Sequence, residues 1–308
     1  MRVIFMGTPD FAVPTLQAIV DAGHEVVLVV AQPDKPVGRG RKLQSPPTIT
    51  LARELGLPTA QPRAVRAGSF PARVESVQAD VAVVIAYGRL LVPRVLDAPR
   101  LGCLNVHASL LPRWRGAAPI QAAIEAGDHE TGVCVQRMVE ALDEGPLLVE
   151  LTTPIGERET AGELHDRLSI LAAEAAVQAL AEVDGGTFRP QQGEPTYAAK
   201  LDRSSGEVHW HEPALILDRR IRAMSPWPGG WVAWDKGPLK ILAAHPVAAE
   251  ETAPPGTILA TSPELVIATG DGALALDQVR APGRKAVSGA DFANGARLAP
   301  HDPLAPPE

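Results

Sequence analysis

Short apolar or alternating segments at residues 3–5, 25–30, 80–86, 103–107 and 133–138, with helix-like stretches between several of them, constrain this chain more than any other feature. Strands of that length alternating with helical patterns predict a parallel α/β sheet. The first helix is expected to begin near Asp10 to Pro14, to bury Val13, Leu16, Ile19 and Val20, and to stop at Gly23. A later one starts from a capping box, Thr160 with Glu163, and carries Leu164, Leu168, Leu171, Ala175 and Val183 at helical spacing until Gly185 and Gly186 end it. From Tyr197 the pattern changes. Trp227, Trp231 and Trp234 lie among Pro and Gly, and helical periodicity stops until a short stretch after Ser288. Candidate strands at 230–234, 239–242, 257–260, 265–268 and 273–279 suit a small barrel of the oligonucleotide-binding type, with a boundary expected near 187–206 and a frayed tail from Pro300.

A chain of 308 residues has ample length for a core, and domain sizes suggest two units. Its two cysteines, Cys103 and Cys134, have no CxxC or His-rich company, so neither a disulfide framework nor a zinc site is signalled, and reducing cytosol is the expected setting. The apolar run at the start is too short for a signal-peptide core, and no stretch approaches the roughly 20 apolar residues of a membrane span. A formal net charge of -7 argues against a wholly basic surface, so a polyanion would be met by local basic patches.

The segment 102–107, Gly-Cys-Leu-Asn-Val-His, is the most informative for chemistry. Alternation puts Asn105 and His107 on one face near the carboxyl end of a strand, where open α/β sheets place their ligands. His offers a proton acceptor near neutral pH, and Asn offers a neutral donor to a developing oxyanion. The plainer alternative is a satisfied buried His beside a turn-stabilising Asn. After the next strand, Asp143 lies in Leu-Asp-Glu-Gly-Pro and offers a carboxylate to His107 at the same end of the sheet; alone, it reads equally as a turn residue. Ser109, Leu110, Leu111 and Pro112 form an apolar loop directly after His107, suited either to lining a slot for a flat ring or to plugging the core. Arg113 and Arg115 flank Trp114, as an anion site or as a solvated face.

Residues 32–47 form a Pro/Gly-rich stretch read as neither helix nor strand, with Lys35, Arg39, Arg41 and Lys42 against Asp34. Long loops of this kind contact phosphates or are simply solvated. Arg219, Arg220 and Arg222, with Arg280, Arg284 and Lys285, extend the same two alternatives into the second unit. Missing motifs narrow the field: Gly7 to Ala12 is not GxGxxG, and no P-loop, GxSxG or HExxH occurs.

Taken together, FMGTPDFAVP at 5–14, AQPDKPVGRGRKL at 31–43, AYGRLL at 86–91, NVHASLLPRWRGAAPI at 105–120 and SPWPGGW at 225–231 resemble the methionyl-tRNA formyltransferase family, in order and over nearly the whole chain. The resemblance implies a Rossmann-like formyltransferase domain over 1–190, a linker over 191–206, and a C-terminal OB-like β-barrel over 207–308 that helps hold tRNA. It carries catalytic roles to Asn105, His107 and Asp143, folate contact to Tyr87, Gly88, Ser109, Leu110, Leu111 and Pro112, and tRNA contact to Lys35, Arg39, Arg41 and Lys42. It further implies 10-formyltetrahydrofolate as formyl donor without a metal, initiator methionyl-tRNA as acceptor, and a cytoplasmic monomer with no membrane role. One departure is Glu144, where many relatives carry Thr after the Asp; a solvated Glu144 would leave the roles intact. The rivals are another folate-dependent formyltransferase or formyl hydrolase, a noncatalytic tRNA-binding module and, on fold alone, a nicotinamide dehydrogenase.

Overall fold

A computed structural model describes the chain except Arg39, Ala67, 250–252, 305–308 and the side chain of Val37. Contacts divide it into two compact units, one of Met1–Pro119, Glu130–Pro154 and His165–Ala198, the other of Ile120–His129, Ile155–Leu164 and Ala199–Glu308. The first part of the chain runs β1 (Arg2–Gly7), α1 (Val13–Asp21), β2 (Glu25–Val30), β3 (Lys35–Val37), β4 (Lys42–Gln44), α2 (Pro47–Glu54), β5 (Thr59–Ala60), α3 (Phe70–Ser76) and β6 (Val81–Ile85). It continues with α4 (Pro93–Leu96), β7 (Cys103–His107), β8 (Arg115–Gly116), α5 (Pro119–Ala126), β9 (Glu130–Arg137), β10 (Leu147–Pro154), α6 (Ala161–Glu182) and β11 (Tyr197–Ala198).

The main sheet has the order β10-β9-β7-β6-β1-β2-β5. Val3, Ile4, Phe5 and Met6 on β1 are fully buried, as expected for a central parallel strand covered on both faces. Five of its strands are parallel, but β9 runs antiparallel to β7 and β10 antiparallel to β9, so the sheet is mixed rather than parallel. An apolar run reports burial and carries no sign of strand direction. Helix α1 ends as expected: Gly23 N–H reaches the Val20 carbonyl and His24 N–H the Ile19 carbonyl, with Gly23 at φ 78. Its buried set is Thr15, Leu16 and Ile19, while Val13 and Val20 are only half-buried. At α6 the capping box is present, with Thr160 N–H donating to Glu163 Oε2 at 2.9 Å and Glu163 N–H to Thr160 Oγ1 at 3.3 Å.

The stretch 32–47 departs from the irregular loop expected. Strands β3 and β4 pair as a hairpin, Lys35 opposite Gln44, Pro36 opposite Leu43 and Val37 opposite Lys42, and Pro47 opens α2. A proline removes one ladder donor, but bonded and non-bonded pairs alternate along an antiparallel ladder, and a free edge tolerates the loss.

The second unit contains α7 (Ala214–Ala223), β12 (Gly230–Val232), β13 (Leu239–Val247), β14 (Ile258–Ala260), β15 (Leu265–Ala268), β16 (Ala273–Arg280), β17 (Val287–Ser288) and α8 (Gly289–Ala296). The strands form an antiparallel sheet ordered β12-β13-β16-β15-β14, with β17 on β16. Helix α7 lies in a region where short strands were expected to dominate, ahead of the first strand expected there. Ala214, Leu217 and Ile221 repeat at helical spacing and pack with Val232, Ile241 and Leu274 in the core of this unit. Two of its three arginines are neutralised: Arg220 pairs with Glu125 and Glu212, and Arg222 with Asp218 at 3.0 Å. Residues 300–304 are not frayed either, since Leu304 is buried and its N–H reaches the Gly256 carbonyl at 3.0 Å; the tail beyond lies outside the described residues.

Candidate active site

Chain order places β2 on one side of β1 and β6 on the other, so the carboxyl ends of β1 and β6 meet at a switch point, with Gly7 beside Ile85. Crevices at such points are where open α/β sheets take ligands. Strand β7 lies next to β6 and ends there at His107.

Asn105 and His107, two residues apart on β7, both meet Asp143. Asp143 Oδ1 accepts from Asn105 Nδ2 and from Gln136 Nε2, each at 3.2 Å. Asp143 Oδ2 accepts from Gly116 N–H at 2.9 Å and lies 3.8 Å from His107 Nδ1. The His107 and Asp143 side chains are each 8% exposed, so polar interactions between them are screened less than in water. The expected hydrogen bond between them is absent at 3.8 Å. His107 Nε2 instead sits 3.0 Å from the Trp114 carbonyl. A carbonyl only accepts, so Nε2 carries a hydrogen and Nδ1 is the atom turned to the carboxylate.

Asp143 reaches this place by a route other than the one expected. Because β9 is antiparallel to β7, its last residue Arg137 lies opposite Leu104, away from the carboxyl end of β7. The following loop doubles back, and Asp143 takes a left-handed φ of 54. Gly145 makes the return tight: a Cβ there would lie 1.7 Å from the Arg137 carbonyl oxygen. At Gly116, φ 113 and a Cβ position 2.5 Å from the Ala198 carbonyl oxygen exclude a side chain where its N–H meets Asp143. Glu144 is not merely solvated, because Arg115 Nη1 lies 3.0 Å from its Oε1.

Ser109 is fully buried and its Oγ donates to the Arg113 carbonyl at 2.6 Å. Leu111 packs with Cys134 and Leu147, and Pro112 is buried. This loop therefore turns much of its side-chain surface inward, with Leu110 half-buried, and its Leu111 N–H and the Leu110 and Pro112 carbonyls bond Cys134 Sγ, Arg113 N–H and Thr196 N–H. Tyr87 behaves alike: its ring is in the core, 2% exposed, its hydroxyl has no partner among the described residues, and burial pushes its pKa up to about 12. Its carbonyl accepts from Gln32 Nε2 at 2.9 Å, and exposed Gly88 follows at φ 73. Beside this turn lies a cavity of about 380 Å³ lined by Ala64, Val65, Arg66, Arg89 and Leu90.

Lys35, Arg41 and Lys42 stand exposed on the hairpin, without an ion pair among the described residues, while Asp34 binds Gln61 at 2.6 Å; Arg39 lies outside the described residues. Gln136, Gln191 and Gly116 at the site were not anticipated. Gln136 alone had a signal, as the polar residue in an apolar strand. Among the described residues, the group with metal-ligand spacing is half-buried His245 with exposed Glu264 and Asp277 of the second unit, and no helix is long and apolar enough to cross a membrane.

A family model described as formyl transferase matches residues 1–180, and one described as formyl transferase, C-terminal domain, matches 200–297. A methionyl-tRNA formyltransferase of Gluconobacter oxydans is 49% identical over 297 residues, 96% of this chain and 97% of that protein. Another from Roseobacter denitrificans is 47% identical over 97% of each chain. The chain belongs to the methionyl-tRNA formyltransferase family. Its fold extends beyond the family. HypX from Aquifex aeolicus, solved in complex with tetrahydrofolic acid, superposes with a TM-score of 0.62 at 18% identity, covering all of this chain and 50% of that one.

Proposed function

We propose that this chain transfers the formyl group of 10-formyltetrahydrofolate to the α-amino group of methionine esterified to initiator tRNA. The amine lone pair bonds the formyl carbon and the carbonyl electrons move onto oxygen. Collapse restores the carbonyl and breaks the bond to the folate nitrogen, which leaves with its electron pair and takes up the proton lost by the attacking amine. Asn105 Nδ2 donates to the oxyanion, having exchanged Asp143 for it. The Trp114 carbonyl holds His107 at Nε2, and Asp143, 3.8 Å from Nδ1, stabilises its imidazolium as the proton passes.

The observation that carries this reading is the convergence of Asn105 and His107 on the one shielded carboxylate of Asp143. The chain also fits the donor. Ala64, Val65 and Leu90 suit the apolar aminobenzoyl stretch, Arg66 and Arg89 its carboxylate tail, and the main chain of Gly88 and of 109–112 its pterin. Lys35, Arg41 and Lys42 suit the acceptor-stem phosphates, with Arg39 assigned there by family resemblance alone. We assign residues 1–190 to catalysis, 191–206 to a linker and 207–308 to tRNA contact, in a metal-free cytoplasmic monomer.

The test mixes protein, 10-formyltetrahydrofolate and charged initiator methionyl-tRNA, with uncharged tRNA as control. Formylmethionine on the tRNA is expected. Release of formate with no formylmethionine would favour a hydrolase instead.

A further inference from the structure

Gln191 lies in the stretch that the sequence suggests is only a linker, yet both ends of its amide are spent at the active site. Its Nε2 donates to the carbonyls of Asp143 at 2.8 Å and Gly145 at 2.9 Å and lies 3.3 Å from Gln136 Oε1. Its Oε1 accepts from Arg115 Nε at 3.1 Å and Nη2 at 2.7 Å, and the same guanidinium holds Glu144. Gln191 thus ties three consecutive residues of the catalytic loop, Asp143 to Gly145, either directly or through Arg115. The chain around it runs in the same direction as the site: Arg115 N–H reaches the Thr196 carbonyl at 2.9 Å, Trp114 N–H reaches Thr196 Oγ1 at 2.9 Å, and β11 pairs with β8.

We infer that Gln191 is a positioning residue for the transfer reaction, fixing Asp143 in its left-handed backbone conformation so that one carboxylate serves both Asn105 and His107. The physical need is clear from the loop itself. Residues 138–146 form no helix or strand of their own, no strand residue among the described residues bonds the Asp143 and Gly145 carbonyls, and a left-handed non-glycine residue persists only where its surroundings over-determine it. A displacement of about 1 Å in a catalytic group costs about 100-fold in rate, so a clamp on the two carbonyls of this turn controls turnover while touching no substrate. The role rests on the reaction proposed above.

Gln191→Glu is the discriminating variant. It keeps the shape and the acceptor for Arg115 but replaces the donor with an oxygen facing two carbonyl oxygens. The full-length variant is expected to lose about 10- to 100-fold in kcat with KM for both substrates within about threefold of the parent. In an Asp143→Ala background the same change should add no further loss, because residues acting through one group are not additive. Amide hydrogen exchange over 137–147 should rise at least tenfold while that of β1 and β6 stays unchanged. Equal losses in both backgrounds, a kcat within twofold of the parent, or unchanged exchange over 137–147 would overturn the role. Exchange needs no turnover, so a parent without formyl transfer defeats the reaction and still leaves the clamp open to refutation.

Discussion

A single missing methyl group governs how near Asp143 comes to its partners. Gly145 sits so close to the Arg137 carbonyl that any Cβ must push the return loop outward. Gly145→Ala is therefore expected to lower kcat by about 100-fold, with a stability loss of about 1–3 kcal/mol from the forced shift; kinetics and thermal unfolding on one preparation check both. Asn105→Ala removes an oxyanion donor from a half-buried strand position. It should cost about 100- to 1000-fold in kcat at nearly unchanged melting temperature, and turnover within tenfold of the parent would remove Asn105 from the proposed chemistry. Asn105 and His107 were readable because a strand's alternation is local: two polar residues in an apolar run announce a shared face. Gln191 was not, since its partners lie 46 to 76 residues away and no pattern near it marks the contact. The tautomer of His107 was equally out of reach, because the Trp114 carbonyl that sets it belongs to a turn whose path only the folded chain defines.

Among elements, the hairpin β3–β4 sets the exposed Lys35, Arg41 and Lys42 on or beside paired strands rather than in an irregular loop. Replacing Arg41 and Lys42 with Gln should weaken tRNA binding, and the slope of log affinity against log salt should become shallower by about 0.7–0.9 per lost phosphate contact. An unchanged slope would place the tRNA elsewhere. At α6, Thr160→Ala removes the Oγ1 that accepts from Glu163 N–H while leaving its own backbone N–H on Glu163 Oε2, and should cost about 1 kcal/mol in denaturant unfolding without altering turnover. That box was legible because caps are written within four residues. Helix α7 was hidden for the opposite reason: it spans only ten residues, and Arg219, Arg220 and Arg222 obscure its short apolar stripe until Glu125, Glu212 and Asp218 are found beside them. The reversed direction of β9 is decided by pairing, which hydropathy does not record.

On the scale of the whole molecule, the two cysteines report on the core of the first unit. Burial pushes both thiols up to about 12, so the reactive thiolate is scarce at neutral pH. A disulfide reagent at pH 8 should leave the folded protein unmodified and titrate both thiols in guanidinium; prompt reaction of the native protein would contradict this packing. The order in which the chain is made has a consequence of its own. Helix α6 ends at Glu182, whereas Gln191, Thr196 and Ala198, which brace the turns of Trp114, Gly116 and Asp143, follow it. A ribosome adding about 5–20 residues per second thus delivers every strand of the main sheet before it delivers the brace. A nascent chain halted just short of that brace would own all three proposed catalytic side chains before the residues that steady the backbone of their loop.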